Sequence, residues 1–378
     1  MNEDKAARYQ RLKRWASVIS LAWTAGLLAA LVLTGETLAL RDLSAGLARA
    51  AGAPDPLAPS VVVAAYVLLL AALHEIGAFP IDWYGSFTLE RSYGLATERF
   101  GHWLSGRAKA SLVGLVLGVA GAAVTYAALW SCAAWWWVAA GGVFSLAAVT
   151  LTMAGPVLLL PLFHQCRPLE REPLRARLIR LAARAGVPAI GVYEWRLSDR
   201  TRKANAALAG LGATRRILVS DTLLSDYTED EIEVVLAHEL AHHAHGDIWK
   251  GVATEVGLIF GASFVASRVL ARAVPALGLT GAADVAGLPV LLLAALALGV
   301  AALPAMNAVS RAHERRADRF ALDLTGNPGA FTSAMRRLAF QNLAEPQPSR
   351  LTRWLFSSHP PIEQRLDMAS RWSPGSPK

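Results

Sequence analysis

The chain has 378 residues, of which 54% are hydrophobic and only 17% are charged. This composition is too apolar for an ordinary soluble protein and predicts an integral membrane protein. The net charge is +8, but the basic residues flank apolar segments and form no stripe interleaved with aromatic residues, so we expect no nucleic-acid partner.

Six apolar segments are long enough to cross a bilayer as helices, at about residues 15–34, 59–79, 108–130, 135–163, 252–274 and 284–307. Residues 1–14 are basic, and the first apolar segment is longer than the core of a signal peptide, so an uncleaved first span is predicted. With this N-terminus in the cytoplasm, most Arg and Lys residues also lie there, as the positive-inside rule requires. Arg268 and Arg272, near the outer face, are the exception.

The two cysteines, Cys132 and Cys166, have no Cys-x-x-Cys spacing, so neither a disulfide framework nor a thiolate metal site is predicted.

The alternation of apolar and polar segments predicts how the chain is divided. Residues 1–163 form an N-terminal membrane region of four spans with an interfacial loop or helix at 80–107, and residues 252–307 form the fifth and sixth spans. Residues 164–251 and 308–372 are predicted to form a domain on the cytoplasmic side. The tail 373–378, made of Ser, Pro, Gly and Lys, is predicted to be disordered.

The polar segment after the fourth span contains signals for both helix and strand. Residues 168–186 are rich in Arg and Leu at helical spacing, and residues 190–195 alternate as a strand. Residues 205–209 and 216–220 are predicted to form a hairpin around the glycines at 210 and 212. The predicted fold is therefore mostly α: a polytopic helical membrane protein of about six spans with a cytoplasmic α+β domain that carries a small β-sheet.

Residues 238–242 read His-Glu-Leu-Ala-His and carry the clearest chemical signal. They follow a capping box of Thr228 and Glu231, which predicts the start of a helix. On that helix His238 and His242 lie one turn apart on one side, so both imidazoles can bind one metal ion. Glu239, the next residue round, is placed to reach a water molecule at the metal. The pattern is typical of a zinc hydrolase.

A catalytic zinc ion takes three protein ligands and leaves a fourth position for water. His245 lies about 10 Å along the helix axis from His238, too far to share one ion. The end of the sixth span carries a polar stripe on one helical face, made of Asn307, Arg311, Glu314 and Asp318. Glu314 is the predicted third ligand, and Asp318 is placed to accept the second N–H of a ligand histidine. On spacing alone, a solvated face shared with the neighbouring arginines is equally compatible with these two acids.

These stretches resemble a known family. Residues 238–242, followed by residues 310–318 with the sequence Ser-Arg-Ala-His-Glu-Arg-Arg-Ala-Asp, resemble the integral-membrane zinc metalloendopeptidases related to the CAAX prenyl protease and to HtpX. That family pairs His-Glu-x-x-His with Ser-Arg-x-x-Glu-x-x-Ala-Asp. Residues 205–206 and 358–366 are similar to it as well, and residues 80–95 resemble the prenyl-protease loop that enters the family's interior chamber. The resemblance covers about residues 60–370, although the eukaryotic prenyl protease has seven spans and six are predicted here.

The resemblance implies one zinc ion per chain on His238, His242 and Glu314, with Glu239 as general base. It implies that Asn205 and His359 bind the oxyanion or the substrate backbone. The residues expected to support the site are Asp318, Arg365, Asn307 and Arg311. From the residues alone, His359 also fits a helix-start residue before a Pro-Pro turn, and Asn205 also fits an ordinary polar group at a strand end.

The chain is therefore predicted to be a zinc metalloendopeptidase in which Glu239 takes a proton from a zinc-activated water molecule. Its predicted substrates are CAAX-like or membrane-protein segments at the cytoplasmic side. The alternative is quality control of misfolded membrane proteins, as in HtpX. The composition, rich in Ala, Arg and Leu, indicates a high-GC prokaryote, where prenylated substrates are not expected, so the sequence does not choose between the two.

A different class of function is a non-catalytic binding or transport protein, which His74 and Glu75 inside an apolar segment would support. Every position that the family motif uses for a metal ligand holds a residue able to bind metal, which argues against a non-catalytic protein. The predicted partners are a peptide or membrane-protein substrate and the lipid bilayer, and the sequence does not determine the oligomeric state. The predicted location is a prokaryotic cytoplasmic membrane, with both termini and the catalytic domain in the cytoplasm.

Overall fold

The computed structural model describes residues 4–158, 165–210, 212 and 215–374. The first part of the chain is helical, with α1 (Lys5–Leu33), α2 (Glu36–Ala50), α3 (Ala58–Asp82), α4 (Leu89–Ser92), α5 (Phe100–Ser131) and α6 (Trp136–Leu158). Strands and helices then alternate, as β1 (Cys166–Pro168), α7 (Glu172–Arg184), β2 (Gly191–Trp195), β3 (Ala206–Ala209), β4 (Arg216–Ser220), α8 (Asp221–Asp226) and α9 (Glu229–Ala244). The chain ends with α10 (Asp247–Ala276), α11 (Leu288–Thr325), α12 (Pro328–Gln341), α13 (Arg350–Phe356) and α14 (Ile362–Ser370). The predicted mostly-α class is confirmed.

Six of these helices are long and apolar enough to cross a membrane: α1, α3, α5, α6, α10 and α11. The six predicted spans are thus confirmed, with residues 159–163 of the predicted fourth span outside the described part of the chain. Helices are the expected form because lipid offers no hydrogen-bond partner to backbone groups. The sequence did not predict α2, an amphipathic helix of 15 residues that is too short to span a bilayer.

The six spans form a closed ring. α1 packs against α3, α3 against α5, α5 against α6, α6 against α10 and α10 against α11, which returns to α1. Within the described residues, no two spans on opposite sides of this ring pack as extensively as neighbours do. The spans are therefore arranged around a central space.

One end of the ring is closed by a packed core. Each of these spans has one end that lies far from the soluble residues 165–251 and 308–374, and the core is built from those ends. It includes Leu28, Tyr66, Tyr126, Leu270 and Leu291. α2 and the short helical turn Val285–Gly287 pack against this end. We call it the distal side, and we call the opposite side, where residues 165–251 and 308–374 lie, the domain side.

Charged residues lie between two of the spans toward the domain side. Arg107 of α5 pairs with Glu75 (2.7 Å) and Asp82 (2.9 Å) of α3. His74 also belongs to α3, and its Nε2 lies 3.0 Å from Thr24 Oγ1 of α1. Ionisable groups at membrane depth are stable only when they face protein or water. This cluster therefore indicates that the ring has a polar interior toward the domain side.

The soluble part of the chain packs around its own hydrophobic core. Its sheet has the order β1-β2-β4-β3, in which β2 and β4 are parallel and the two edge strands are antiparallel to their neighbours. The predicted strand and hairpin are confirmed as β2 and β3–β4, with residues 211, 213 and 214 of the turn outside the described residues. The predicted helix at 168–186 is confirmed as α7, but it starts at Glu172 because residues 166–168 pair with β2 as a short edge strand.

The predicted interfacial segment at 80–107 is mostly helical. α3 continues through Pro80, and a wide helical turn, Trp83–Thr88, joins it to α4. The loop that follows is bonded to the soluble part, where Arg202 N donates to Leu95 O at 2.9 Å and Thr97 N donates to Arg200 O at 3.0 Å. At the other end of the chain, residues 375–378 of the predicted disordered tail lie outside the described residues.

Candidate metal centre

The His-Glu-x-x-His motif lies on α9, whose ends are set by local sequence. Thr228 Oγ1 accepts a hydrogen bond from Glu231 N (3.3 Å), and Glu231 Oε2 accepts one from Thr228 N (2.8 Å), which confirms the predicted capping box. The apolar face that anchors the helix is fully buried and includes Ile232, Leu236 and Leu240. After α9 the chain turns at Gly246, whose φ of +65° is strained for any residue with a Cβ. α10 begins at the next residue, so the turn sends the chain directly into the fifth span.

Three potential metal ligands converge where α9 packs against α11. His238 Nε2 lies 3.2 Å from Glu314 Oε2, and His242 Nε2 lies 3.5 Å from Glu314 Oε1. One ligand atom from each of the three residues lies within 4.8 Å of the others. Glu314 comes from the part of α11 that packs against α9. The chain leaves α9 through the span α10 and comes back through the span α11, and this brings the Glu314 carboxylate next to the two histidines.

The chemistry of this cluster fits a zinc ion. His238 and Glu314 are each only 7% exposed. Glu314 Oε2 is a buried acceptor with no well-aligned hydrogen bond within the described residues, and His238 Nε2 lies 3.2 Å from it. A buried carboxylate is stable only with a compensating positive charge or hydrogen bonds. Two imidazole nitrogens and a carboxylate oxygen are also a ligand set that catalytic zinc sites use.

Both histidines have an acid behind them. Asp318 is fully buried and places Oδ1 2.9 Å from His238 Nδ1, and Asp247 places Oδ2 3.1 Å from His242 Nδ1. An acid at Nδ1 favours the tautomer that leaves Nε2 free to bind a metal ion. Arg365 donates from Nε and Nη2 to the two oxygens of Asp318, at 2.8 and 2.5 Å. This bidentate pair holds the acid in place.

Asp247 was missing from the candidates derived from sequence. It is the first residue of α10, and its Oδ1 accepts hydrogen bonds from Lys250 (3.3 Å) and from Arg316. The only signal in the sequence is an acid five residues after His242, directly after Gly246. Nothing in that spacing shows that the turn at Gly246 folds the acid back onto the imidazole.

A cleft of about 460 Å³ opens beside the histidines. Glu239 and Asn205 line it, and Asn205 lies directly before β3. Burial raises the pKa of the Glu239 carboxyl, and the neighbouring His238 and His242 partly offset this effect. The cleft thus presents a carboxylate that is not among the three converging ligands.

His359 lies at the rim of the same cleft. Its side chain is 60% exposed, and its Nε2 lies 3.4 Å from Glu314 Oε1. Asn307 donates to the carbonyl oxygen of Leu355 (2.7 Å), and Arg311 donates to those of Arg353 (2.9 Å) and Ser357 (2.7 Å). The first two residues of the polar stripe therefore hold the segment that leads to His359, whereas the last two reach His238.

Comparisons with known proteins cover nearly the whole chain. The family model described as peptidase family M48 matches residues 168–373. The model described as CAAX prenyl protease N-terminal, five membrane helices, matches residues 2–165. The boundary between the two matches falls at β1, the first element of the soluble part.

Individual relatives agree with these matches. An uncharacterized metalloprotease of Bacillus subtilis, YhfN, is 28% identical over 310 residues, which cover 81% of this chain and 72% of that protein. A CAAX prenyl protease 1 homolog of Caenorhabditis elegans is 27% identical and covers 80% of this chain and 75% of its own length. Protease HtpX of Cellvibrio japonicus is 29% identical over 57% of this chain and 76% of its own length. The crystal structure of Ste24p from S. mikatae superposes with a TM-score of 0.84 at 21% identity, covering 97% of this chain and 88% of that one, which shows a shared fold.

Proposed function

Because this chain belongs to peptidase family M48 and is a multi-pass membrane metalloprotease, we propose that it hydrolyses peptide bonds with one zinc ion bound by His238, His242 and Glu314. The observation that carries this proposal is the convergence of these three side chains. The acids behind both imidazoles support it, since they orient each ring toward the shared point.

The proposed reaction needs a Lewis acid, a base and hydrogen-bond donors. Zinc bound in this cluster supplies a Lewis acid that polarises the scissile carbonyl and lowers the pKa of a water molecule toward about 7. Glu239 accepts the proton of the attacking water and delivers it to the leaving amine. Burial, which raises the pKa of Glu239, brings this carboxyl closer to the range of an efficient base. His359 and Asn205 donate hydrogen bonds to the oxyanion from the cleft wall.

The edge of the sheet offers a place for the substrate backbone. β3 is an edge strand that pairs only with β4 in the described residues, and Ala206 at its start lines the cleft. An extended peptide can add to such an edge through main-chain hydrogen bonds. This mode of binding gives affinity with little sequence preference, so specificity must come from outside the sheet.

We further propose that the substrates are CAAX-like segments attached to the membrane. The ring of spans is closed at the distal side, and its domain side meets the catalytic part of the chain. The CAAX prenyl protease relative matches 80% of this chain, against 57% for the HtpX relative. Basic residues near the start of α1 support a cytoplasmic domain side in a prokaryotic cell, since Arg14 pairs with Glu345 of the soluble part at 2.5 Å. Quality control of membrane proteins is the second candidate, and the HtpX relative favours it.

Metal dependence is the direct test of the proposed reaction. The chain purified in detergent is expected to hold one zinc ion and to cut an unstructured peptide. A phenanthroline chelator should abolish cleavage, and added zinc should restore it, because without the metal nothing in the site lowers the pKa of the attacking water. Metal analysis and a fluorogenic peptide assay check both expectations. Undiminished cleavage by the metal-free chain would contradict the proposal.

The substrate class is tested with a farnesylated peptide and its unmodified twin. We expect kcat/KM to be higher for the farnesylated peptide by about tenfold or more, because the buried isoprenoid adds binding energy remote from the scissile bond. A third peptide with the farnesyl group at the wrong end of the sequence separates recognition from simple delivery to the detergent micelle. Equal rates for the first two peptides would favour the quality-control function instead.

A further inference from the structure

A second cavity lies on the part of α11 that leaves the membrane, turned away from the metal ligands. It is open, has a volume of about 580 Å³, and is lined mainly by Arg315, Arg316, Arg319, His245, Phe320 and Met368. The His245 ring packs edge-on against Phe320, with ring centroids 5.3 Å apart. The proposed peptide hydrolysis uses none of these six residues.

The arginines of this cavity have unused binding capacity. Arg315 and Arg319 are exposed and form no ion pair within the described residues. Arg316 bonds to Asp247 through Nη2, and its side chain is 39% exposed. Guanidinium groups with free donors bind phosphate groups well, because their planar donor pairs match two phosphate oxygens.

The acids near the cavity do not neutralise it. Asp247 already accepts hydrogen bonds from Arg316 and Lys250. Asp323, the only acid that lines the cavity itself among the described residues, accepts a hydrogen bond from Trp372 Nε1 at 2.8 Å. Three arginines therefore face two carboxylates, one of which also pairs with Lys250, so the count of charges leaves the cavity net positive.

The apolar part of α11 ends close to this cavity, which is where the lipid headgroups of a bilayer would lie. On α11, Val309 is still 50% exposed, as a lipid-facing residue would be, and Arg315 follows about 9 Å further along the axis. Side chains of a helix lean toward its N-terminus, and for this part of α11 that direction is toward the membrane. On the neighbouring α10, the exposed Trp249 in the first turn marks the interface at the same level.

We propose that this cavity binds the phosphate headgroup of an anionic phospholipid in the leaflet on the domain side. The arginines bind the phosphate oxygens, and Phe320 and Met368 offer an apolar wall to the glycerol and the first acyl carbons. A free phosphate ion would share the arginine contacts but would gain nothing from that wall. Basic pockets beside transmembrane helices commonly recognise anionic lipid headgroups in this way.

The cavity is also connected to the metal centre. Arg316 bonds to Asp247, and Asp247 lies behind His242. A lipid held by Arg316 would therefore stabilise the turn between α9 and α10 that places this acid. This consequence for catalysis rests on the proposed function, whereas lipid binding itself does not.

Lipid binding can be measured on the full-length chain in detergent by its thermal unfolding midpoint. Soluble dioctanoylphosphatidylglycerol is expected to raise the midpoint in a saturable way, because a ligand that binds only the folded state stabilises it. Dioctanoylphosphatidylcholine and inorganic phosphate at the same concentrations should not. The double variant Arg315→Gln/Arg319→Gln should bind phosphatidylglycerol roughly 30-fold more weakly, since each arginine near a lipid surface adds to the affinity.

Matched controls make the result specific. Arg180→Gln/Arg336→Gln removes the same charge from two exposed arginines on α7 and α12 and should leave the response unchanged. The lysine variant Arg315→Lys/Arg319→Lys keeps the charges but lacks the planar donor pairs, so it should bind more weakly than the wild type and more tightly than the glutamine variant, and it serves as the comparison if the glutamine variant does not fold. An equal response of the wild type to phosphatidylcholine or to phosphate overturns the proposal, and so does an unchanged affinity in the glutamine variant. The same titration on the Glu239→Gln chain separates lipid binding from catalysis, because it needs no turnover.

Discussion

Replacing Glu239 by glutamine is expected to lower kcat/KM for peptide hydrolysis by roughly 10²–10⁴-fold while zinc stays bound. Glutamine keeps the shape of the side chain, but its amide cannot accept a proton from water. The residue is not one of the three converging ligands, so the metal content should remain at one ion per chain. Steady-state kinetics and metal analysis on the same preparation measure both quantities.

A control for this variant is available on the same helix. Glu229 is exposed in the first turn of α9, and Glu229→Gln makes the same chemical change far from the cleft. We expect this control to keep wild-type kinetics. Wild-type turnover by the Glu239→Gln chain would show that another group acts as the base.

Replacing Glu314 by alanine is expected to weaken zinc binding by more than about 100-fold. Changes to residues that only support a metal ligand already cost 10–100-fold in affinity, and Glu314 is proposed as a ligand itself. Two imidazoles would remain, with no charge to balance the ion in a buried site. Zinc per chain after dialysis, and a competition titration with a chromophoric chelator, measure the loss. Cleavage should fall in parallel.

The alanine variant also removes a buried side chain, so its folding must be checked separately. The unfolding midpoints of the metal-free variant and the metal-free wild type provide this comparison, and Glu314→Gln repeats the metal test with the shape preserved. Glu229→Ala serves as the control for loss of an acid on an exposed surface. A folded Glu314→Ala chain that still holds one zinc ion would assign the third ligand to another residue.

Much of the architecture could be predicted from the sequence because its causes are local. A stretch of about 20 apolar residues must be helical in lipid, and all six such stretches are helices in the structure. The capping box at Thr228 and Glu231 specifies the start of α9 within one turn. The spacing of His238 and His242 then places both rings on one side of that helix. None of these features needs a contact from elsewhere in the chain.

Other elements could not be predicted because the sequence signal is too short or too weak. β1 has three residues and is defined only by its pairing with β2. α2 has too few apolar residues for a span, and its position at the distal end depends on the helices that it packs against. The same holds for the arginines of α11. As a sequence they are compatible with a solvated face, whereas the structure arranges them around a cavity.

By itself, the sequence determined the six spans, the motif helix and the two histidines that face the same way. Only the tertiary structure decided that Glu314 meets those histidines, that Asp247 turns back onto His242, and that the spans close into a ring. The physical reason is the range of the interactions. Helix formation and capping involve residues within one or two turns. The metal-ligand set and the ring of spans depend instead on which apolar helix faces pack together. Because several helices of this chain have similar apolar faces, the sequence pattern of one face does not show which other face it packs against.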